Sequence, residues 1–374
     1  MTARIHSRLM GVMGFASHDK RCVNQAQPTQ TSLVRTLSHD FLYKPTRVIR
    51  RGIIRPTLEL GNGMSTGSPQ TMSATSSLSN ASRIRTMLRA LRPQQWVKNA
   101  LVFLPLLMAH EVLNTSLLLD AFIAFVAFSL LASGTYIIND LLDREYDRQH
   151  PIKQKRPFAC GALSPTIGYV LSPVLIASAF AIAVIALPRL FAVVLGTYLI
   201  VTLAYSFGLK KWAAIDVVML GGLYALRVLA GAAATRVELS EWLLAFSLFF
   251  FLSLALLKRY AELRFLEETE ATASKGRGYS VEDVAMLRGL GPPTGFMAVL
   301  VLALYITSPE VAALYQHPIR LWLVTPLLLY WTMHMWLAAH RRVMPDDPVL
   351  FTVRDPISWS VGVLAATVIF AASI

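Results

Sequence analysis

The chain has 374 residues, of which 55% are apolar and only 15% are charged, with a mean hydropathy of +0.51. A water-soluble core cannot absorb that much apolar surface without long apolar runs, so the composition excludes a pair of soluble domains and defines a polytopic membrane protein. The net charge of +13 is not a nucleic-acid signature: residues 1–92 hold 14 Lys/Arg against 3 Asp/Glu, whereas residues 93–374 hold 21 against 19.

Residues 1–80 lack sustained periodicity and are rich in Ser, Thr, Arg and Gln. Three readings fit this segment: an over-long start, a disordered basic tail that touches anionic lipid, or a transit peptide. The membrane domain is expected over residues 81–374. The two cysteines, Cys22 and Cys160, are read as free thiols. No His-Glu-x-x-His or Cys-x-x-Cys pattern occurs, which argues against a protein-ligated zinc site.

Ahead of the first apolar run stands Arg92-Pro93-Gln94-Gln95-Trp96-Val97-Lys98-Asn99, where Trp96 and Lys98 have the character of interfacial anchors. Apolar runs then follow near 97–112, 118–140, 167–187, 190–207, 214–234, 241–258, 293–308, 319–337 and 357–373. Nine spans are predicted, and in a medium without water they must be helices. The first and seventh are short for a hydrocarbon core of about 30 Å.

Loop charge orients the chain. Arg144, Arg148, Lys153, Lys155 and Arg156 follow span two, and Lys210 and Lys211 follow span four. Arg259, Arg264, Lys275, Arg277 and Arg288 follow span six; Arg341, Arg342 and Arg354 follow span eight. The alternate loops carry little beyond Arg189, Arg236 and Arg320. The amino terminus is therefore expected in the cytoplasm, and the carboxyl terminus outside.

Ionisable residues cluster against the helix ends on that cytoplasmic side, where function is expected. The sharpest cluster is Asn139-Asp140-Leu141-Leu142-Asp143-Arg144-Glu145-Tyr146-Asp147. At about 100° per residue, Asp140, Asp143 and Asp147 fall within about 60° of one another on one helical face. Crowded carboxylates repel, and a hard cation relieves the repulsion. Followed by Lys153, Lys155 and Arg156, this face predicts a Mg²⁺–diphosphate site at Asp140, Asp143 and Asp147; the alternative is a solvated helix end with Arg144 and Arg148 pairing locally and the cations there by the positive-inside rule. Asp216 and Arg227 lie eleven residues apart on a span rich in small residues, a costly placement unless both face a cavity.

Nine spans with Asn-Asp-x-x-Asp-x-x-x-Asp ending the second resemble the UbiA superfamily of intramembrane prenyltransferases. Four segments resemble its decaprenyl-phosphate phosphoribosyltransferase branch. These are Arg92 to Asn99, Ile215-Asp216 with Leu226-Arg227 to Gly231, Lys258-Arg259-Tyr260-Ala261-Glu262-Leu263, and Asp346-Asp347-Pro348 to Phe351 with Asp355. Aromatic prenyltransferases of the superfamily carry a second aspartate cluster after span six. Here cations occupy that loop, which suits an anion directly. The family's Tyr-x-x-x-Lys is one residue longer here, from Tyr205 to Lys210, so Lys210 and Lys211 both remain candidates.

The resemblance implies an all-α membrane bundle with a polar cytoplasmic cavity and a lateral opening to lipid, in a bacterial inner membrane. It implies phosphoribosyl transfer from phosphoribosyl diphosphate to a polyprenyl phosphate, with Mg²⁺ as cofactor and no nucleic-acid partner. Asp140, Asp143 and Lys98 are the expected catalytic residues. Asn139, Lys155, Arg156, Tyr205, Lys210, Asp216, Arg227, Lys258, Arg259 and Glu262 are the expected substrate contacts. The alternatives are transfer of a prenyl group to an aromatic acceptor and a lipid transporter, although no internal repeat of the transporter kind is evident.

Overall fold

The computed structural model describes residues 80–149, 153–268, 277–344 and 347–374, all within one compact unit, Ala74–Ile374. The basic leader and Asp346 lie outside the described residues. Every element among the described residues is helical, as expected for a chain that must satisfy its backbone internally within lipid. Among the described residues eight helical stretches are long and apolar enough to cross a membrane. They correspond to the second through ninth apolar runs.

The remaining run, the first, is built differently. After helix α1 (Asn80–Leu91), Arg92 adopts a left-handed conformation with φ 53°. The chain then enters a 3₁₀ helix, Pro93–Phe103, that continues directly into α2 (Leu104–Met108). The 3₁₀ stretch rises about 22 Å and α2 adds about 8 Å. Sixteen residues thus reach about the thickness of a hydrocarbon core.

Helix α3 (Thr115–Leu142) is about 42 Å long and overruns that thickness. Its last turns carry Asn139 and Asp140 to one end of the bundle, called here the polar end. The short α4 (Arg144–Arg148) follows after a break at Asp143. Helices α5 (Pro165–Ala186), α6 (Arg189–Phe207) and α7 (Ile215–Thr235) complete the first half. Helix α8 (Glu241–Glu268) matches α3 in length and brings Lys258 to Glu262 to the polar end. Helices α9 (Val284–Ile306), α10 (Pro309–Leu314), α11 (Val324–His340), α12 (Pro348–Thr352) and α13 (Pro356–Ser373) make the second half.

Small residues set the close helix pairs, since between lipid-facing helices close packing and hydrogen bonds replace the hydrophobic drive. A Cβ on Gly134 of α3 would lie 3.1 Å from the Ser172 carbonyl of α5, and the Ser172 hydroxyl donates to the Gly134 carbonyl at 3.0 Å. Between α8 and α9 the Ser253 hydroxyl donates to the Gly291 carbonyl at 2.9 Å, and Trp336 of α11 covers Gly291. One apolar core joins α3, α5, α6 and α7, and another joins α7, α8, α9 and α11. Helix α7 contributes to both and so forms the seam.

Candidate active site

Three groups of ionisable side chains meet at the polar end. The first is the acidic trio. Asp140 is 2% exposed; its Oδ1 accepts from Arg92 and, at 3.1 Å, from Arg156. The same Arg156 nitrogen donates to Asp147 Oδ2 at 2.6 Å. Asp143 accepts from Lys210 at 2.6 Å and from the Asn139 amide at 3.1 Å. Glu145, by contrast, is exposed and, among the described residues, pairs with its neighbours Arg144 and Arg148. Arg92, Arg156 and Lys210 thus each answer a carboxylate and relieve the repulsion within the trio. Burial still pushes the Asp147 carboxyl up, with Arg156 opposing it.

The second group surrounds Asp216, which is fully buried at the start of α7. Ala214, at φ 63° and ψ −50°, closes a tight turn in which Ile215 N–H donates to the Ala213 carbonyl at 2.8 Å. This is the strained form of the γ-turn, and it is braced by the Ala214 N–H donating to the Tyr279 hydroxyl at 2.9 Å. The turn aims Asp216 inward. Arg259 grips both of its oxygens, and the Tyr205 hydroxyl donates to it at 2.8 Å. Tyr205 in turn accepts from Arg259 at 3.0 Å and from Arg277 at 3.3 Å. Glu262 pairs with Arg259 and, at 3.4 Å, with Arg277. The anion-suited loop expected after span six is thus an arginine pair held by two carboxylates and a phenol.

The third group joins distant parts of the chain. Lys98 is 6% exposed and pairs with Asp347, which caps α12 by accepting from the Val349 and Leu350 amides. Burial acts to raise the Asp347 carboxyl, but Lys258 and Lys98 outweigh it and hold it at about 2. Lys258 lies within electrostatic reach of Asp347, Lys98, Arg259 and Arg277, and so links the second and third groups. Lys153 stands in the same way between Glu262 and Asp147, and burial pulls its ammonium down. Below Lys98 opens a cavity of about 320 Å³, lined by apolar residues such as Val97, Leu101, Leu104, Leu254 and Trp331.

Several predicted residues are therefore gathered: Lys98, Asn139, Asp140, Asp143, Asp147, Arg156, Tyr205, Lys210, Asp216, Lys258, Arg259 and Glu262. Between the two candidate lysines, Lys210 is buried against Asp143 and Lys211 is exposed. Lys155 is exposed at the end of a 3₁₀ turn. Arg227 stands apart, deep in the seam: its guanidinium donates to Asn99, Tyr198 and the Leu223 carbonyl. Sequence reasoning missed Arg277 as a partner of Asp216 and Glu262, having counted it only as loop charge. It also missed Asp347 as the partner of Lys98, although the segment bearing it stood out.

The fit of a metal to the acidic trio can be judged from its donors. Among the described residues no three His, Cys, Asp or Glu side chains already converge on one point. The donor set is all carboxylate oxygen, which suits a hard cation. Asp140 Oδ2 is buried with no hydrogen-bond partner among the described residues, which leaves one carboxylate oxygen free to accept a ligand. In its chemistry, though not yet in convergence on one point, the donor set suits a hard divalent cation.

The polar end of this helical membrane bundle thus gathers an acidic trio and an arginine cluster. The UbiA prenyltransferase family model matches residues 100–360, and the chain belongs to that family. It is 35% identical over 276 residues to nodulation protein NoeC of Azorhizobium caulinodans, covering 72% of this chain and 87% of that one. It is 36% identical over 285 residues to protein y4nM of Sinorhizobium fredii, which covers 76% of this chain, but the match spans only 55% of y4nM. Decaprenyl-phosphate phosphoribosyltransferase of Corynebacterium glutamicum is 40% identical over 192 residues, covering 50% of this chain and 58% of that enzyme. The fold resembles a UbiA homolog from Archaeoglobus fulgidus bound to DMAPP and Mg²⁺, with a TM-score of 0.55 and 18% identity, covering 77% of this chain and 98% of that one.

Proposed function

We propose that this chain transfers 5-phosphoribosyl from phosphoribosyl diphosphate to a polyprenyl phosphate. The C1–O bond to diphosphate breaks, a lipid phosphate oxygen bonds to C1, and diphosphate leaves. The observation that carries this reading is the Arg259–Arg277 pair on Asp216, Tyr205 and Glu262, standing in the region where an aromatic prenyltransferase has a second aspartate cluster. Identity to the Corynebacterium enzyme over half of the chain supports it.

Asp140, Asp143 and Asp147 would hold Mg²⁺, which supplies charge neutralisation on the leaving diphosphate. The protein's own groups do the rest. Asn139, Arg156 and Lys210, already against those carboxylates, turn to the donor's phosphates as it binds, with Lys155 at the entrance. Tyr205, Asp216 and Glu262 hold Arg259 and Arg277 toward the sugar phosphate. Lys98 and Lys258 meet the lipid phosphate above the apolar cavity, which takes the start of the prenyl chain. Holding two anions together against their repulsion is the main task, since the lipid phosphate is anionic at neutral pH and needs no strong base. Loop charge supports a site facing the cytoplasm of a bacterial inner membrane, with the amino terminus on the same side.

The test is to incubate purified protein with Mg²⁺, labelled phosphoribosyl diphosphate and polyprenyl phosphate, and to count label in the lipid phase. A parallel reaction offers an isoprenyl diphosphate and an aromatic acid. Label in lipid supports the proposal; turnover only in the parallel reaction replaces it with aromatic prenyl transfer.

A further inference from the structure

Arg227 is buried within the seam helix α7, and among the described residues it has no carboxylate partner. Three rings stabilise it instead, those of Tyr198, Tyr224 and Phe128, at 5.0, 5.4 and 5.6 Å from the guanidinium carbon. Its Nε donates at 3.0 Å to Asn99 Oδ1, and the Asn99 amide donates at 3.0 Å to Ser129 on α3. Three residues earlier, Trp96 Nε1 donates at 3.0 Å to Ser133, also on α3. Three residues later, the Val102 carbonyl lies 2.0 Å from where a Cβ on Gly231 would sit.

These contacts share one register. In a 3₁₀ helix residues three apart eclipse and rise about 6 Å. In an α-helix residues four apart also rise about 6 Å. Trp96, Asn99 and Val102 are three apart, whereas Ser129 and Ser133, and Arg227 and Gly231, are four apart. The 3₁₀ segment therefore meets α3 in antiparallel register and α7 in parallel register, step for step. An α-helical segment would rise only about 4.5 Å between Trp96 and Asn99 and turn them about 60° apart, breaking every match. With one stripe anchored, the other two stripes, bearing Lys98 and Leu101 on one and Val97 and Ala100 on the other, face the cavity.

We propose that Arg227, Asn99, Ser129 and Gly231 form a positioning clamp that holds the Pro93–Phe103 segment in 3₁₀ geometry and thereby presents Lys98 to the polyprenyl phosphate. Arg227 works through Asn99 and does not itself hold a phosphate. This rests on the reading that Lys98 meets the lipid phosphate.

The experiment measures binding of a short-chain polyprenyl phosphate to the purified full chain in detergent, in a double-mutant cycle. Asn99→Ala should weaken binding by about tenfold in the native background and by less than about twofold when Lys98→Ala is already present. Equal weakening in both backgrounds, or none in either, overturns the clamp. If Lys98→Ala alone leaves affinity unchanged, the lipid-phosphate assignment falls and the clamp with it. Should Asn99→Ala fail to fold, Ser129→Ala decides the matter. It removes only the acceptor of the Asn99 amide, and its smaller loss must likewise disappear in the Lys98→Ala background.

Discussion

The finest distinction lies within two turns at the end of α3. Asp140 and Asp143 share a face and face cations, whereas Glu145 points to solvent. If the trio holds Mg²⁺ against diphosphate, Asp140→Asn or Asp143→Asn should lower phosphoribosyl transfer by orders of magnitude, and Glu145→Gln should leave it within about twofold. Stability separates the two aspartates. Asp140 is buried between two guanidinium groups, so Asp140→Asn strands positive charge and should cost about 3 kcal/mol in unfolding. Asp143 is partly exposed and should cost less. Equal damage to activity from Glu145→Gln and Asp143→Asn, with both variants folded, would remove the metal assignment.

Asp347 makes a prediction in pH. Its folded pKa, about 2, lies below the ordinary carboxylate value, so the stabilisation from its pairing is fully present above the unfolded pKa and is lost as pH falls through the folded one. The melting-temperature gap between the native chain and Asp347→Asn should hold from neutral pH down to about 4 and close as pH approaches about 2. A gap independent of pH would mean that Asp347 stabilises only as the cap of α12.

At the scale of elements, α7 offers a comparison between two of its own glycines. A Cβ on Gly231 meets the Val102 carbonyl, whereas a Cβ on Gly222 meets nothing within 4 Å. Gly231→Ala must push the 3₁₀ segment away from α7 and should lower both melting temperature and polyprenyl-phosphate affinity. Gly222→Ala should leave affinity unchanged and raise helix stability by up to about 1 kcal/mol. Thermal melts of both variants with and without the lipid check this. Helix α9 shows where an element was only partly legible in advance. The apolar run was read from 293, at a pair of prolines, yet the helix begins at Val284 and passes through Pro292 and Pro293. A proline removes one N–H and usually stops a helix, but neighbouring helices in a membrane make up the loss. Here Ser253 and Trp336 pack on Gly291 beside the prolines and hold α9 against α8 and α11, and nothing local to that stretch announces them.

For the whole molecule the open quantity is orientation. Cys160 is free and exposed in the loop after α4. In a Cys22→Ser background, a membrane-impermeant maleimide should label Cys160 in inverted vesicles and not in intact spheroplasts. Labelling from the outside would reverse the orientation and place the soluble substrate on the wrong side for this reading. Hydropathy and loop charge are one-dimensional properties, so the sequence by itself determined the membrane class and the helical bundle; the single helical face expected for Asp140, Asp143 and Asp147 is interrupted at Asp143, and Asp147 rides on α4, tied back to Asp140 through Arg156. The pairing of Lys98 with Asp347, 249 residues away, depends on how the two halves close on α7 and has no trace in local periodicity. The same holds for the capture of Arg277 by Asp216 and Glu262. The 3₁₀ geometry of the first span was likewise decided only by tertiary structure, because it is the register of α3 and α7, and not the propensity of residues 93–103, that selects a rise of about 2 Å per residue.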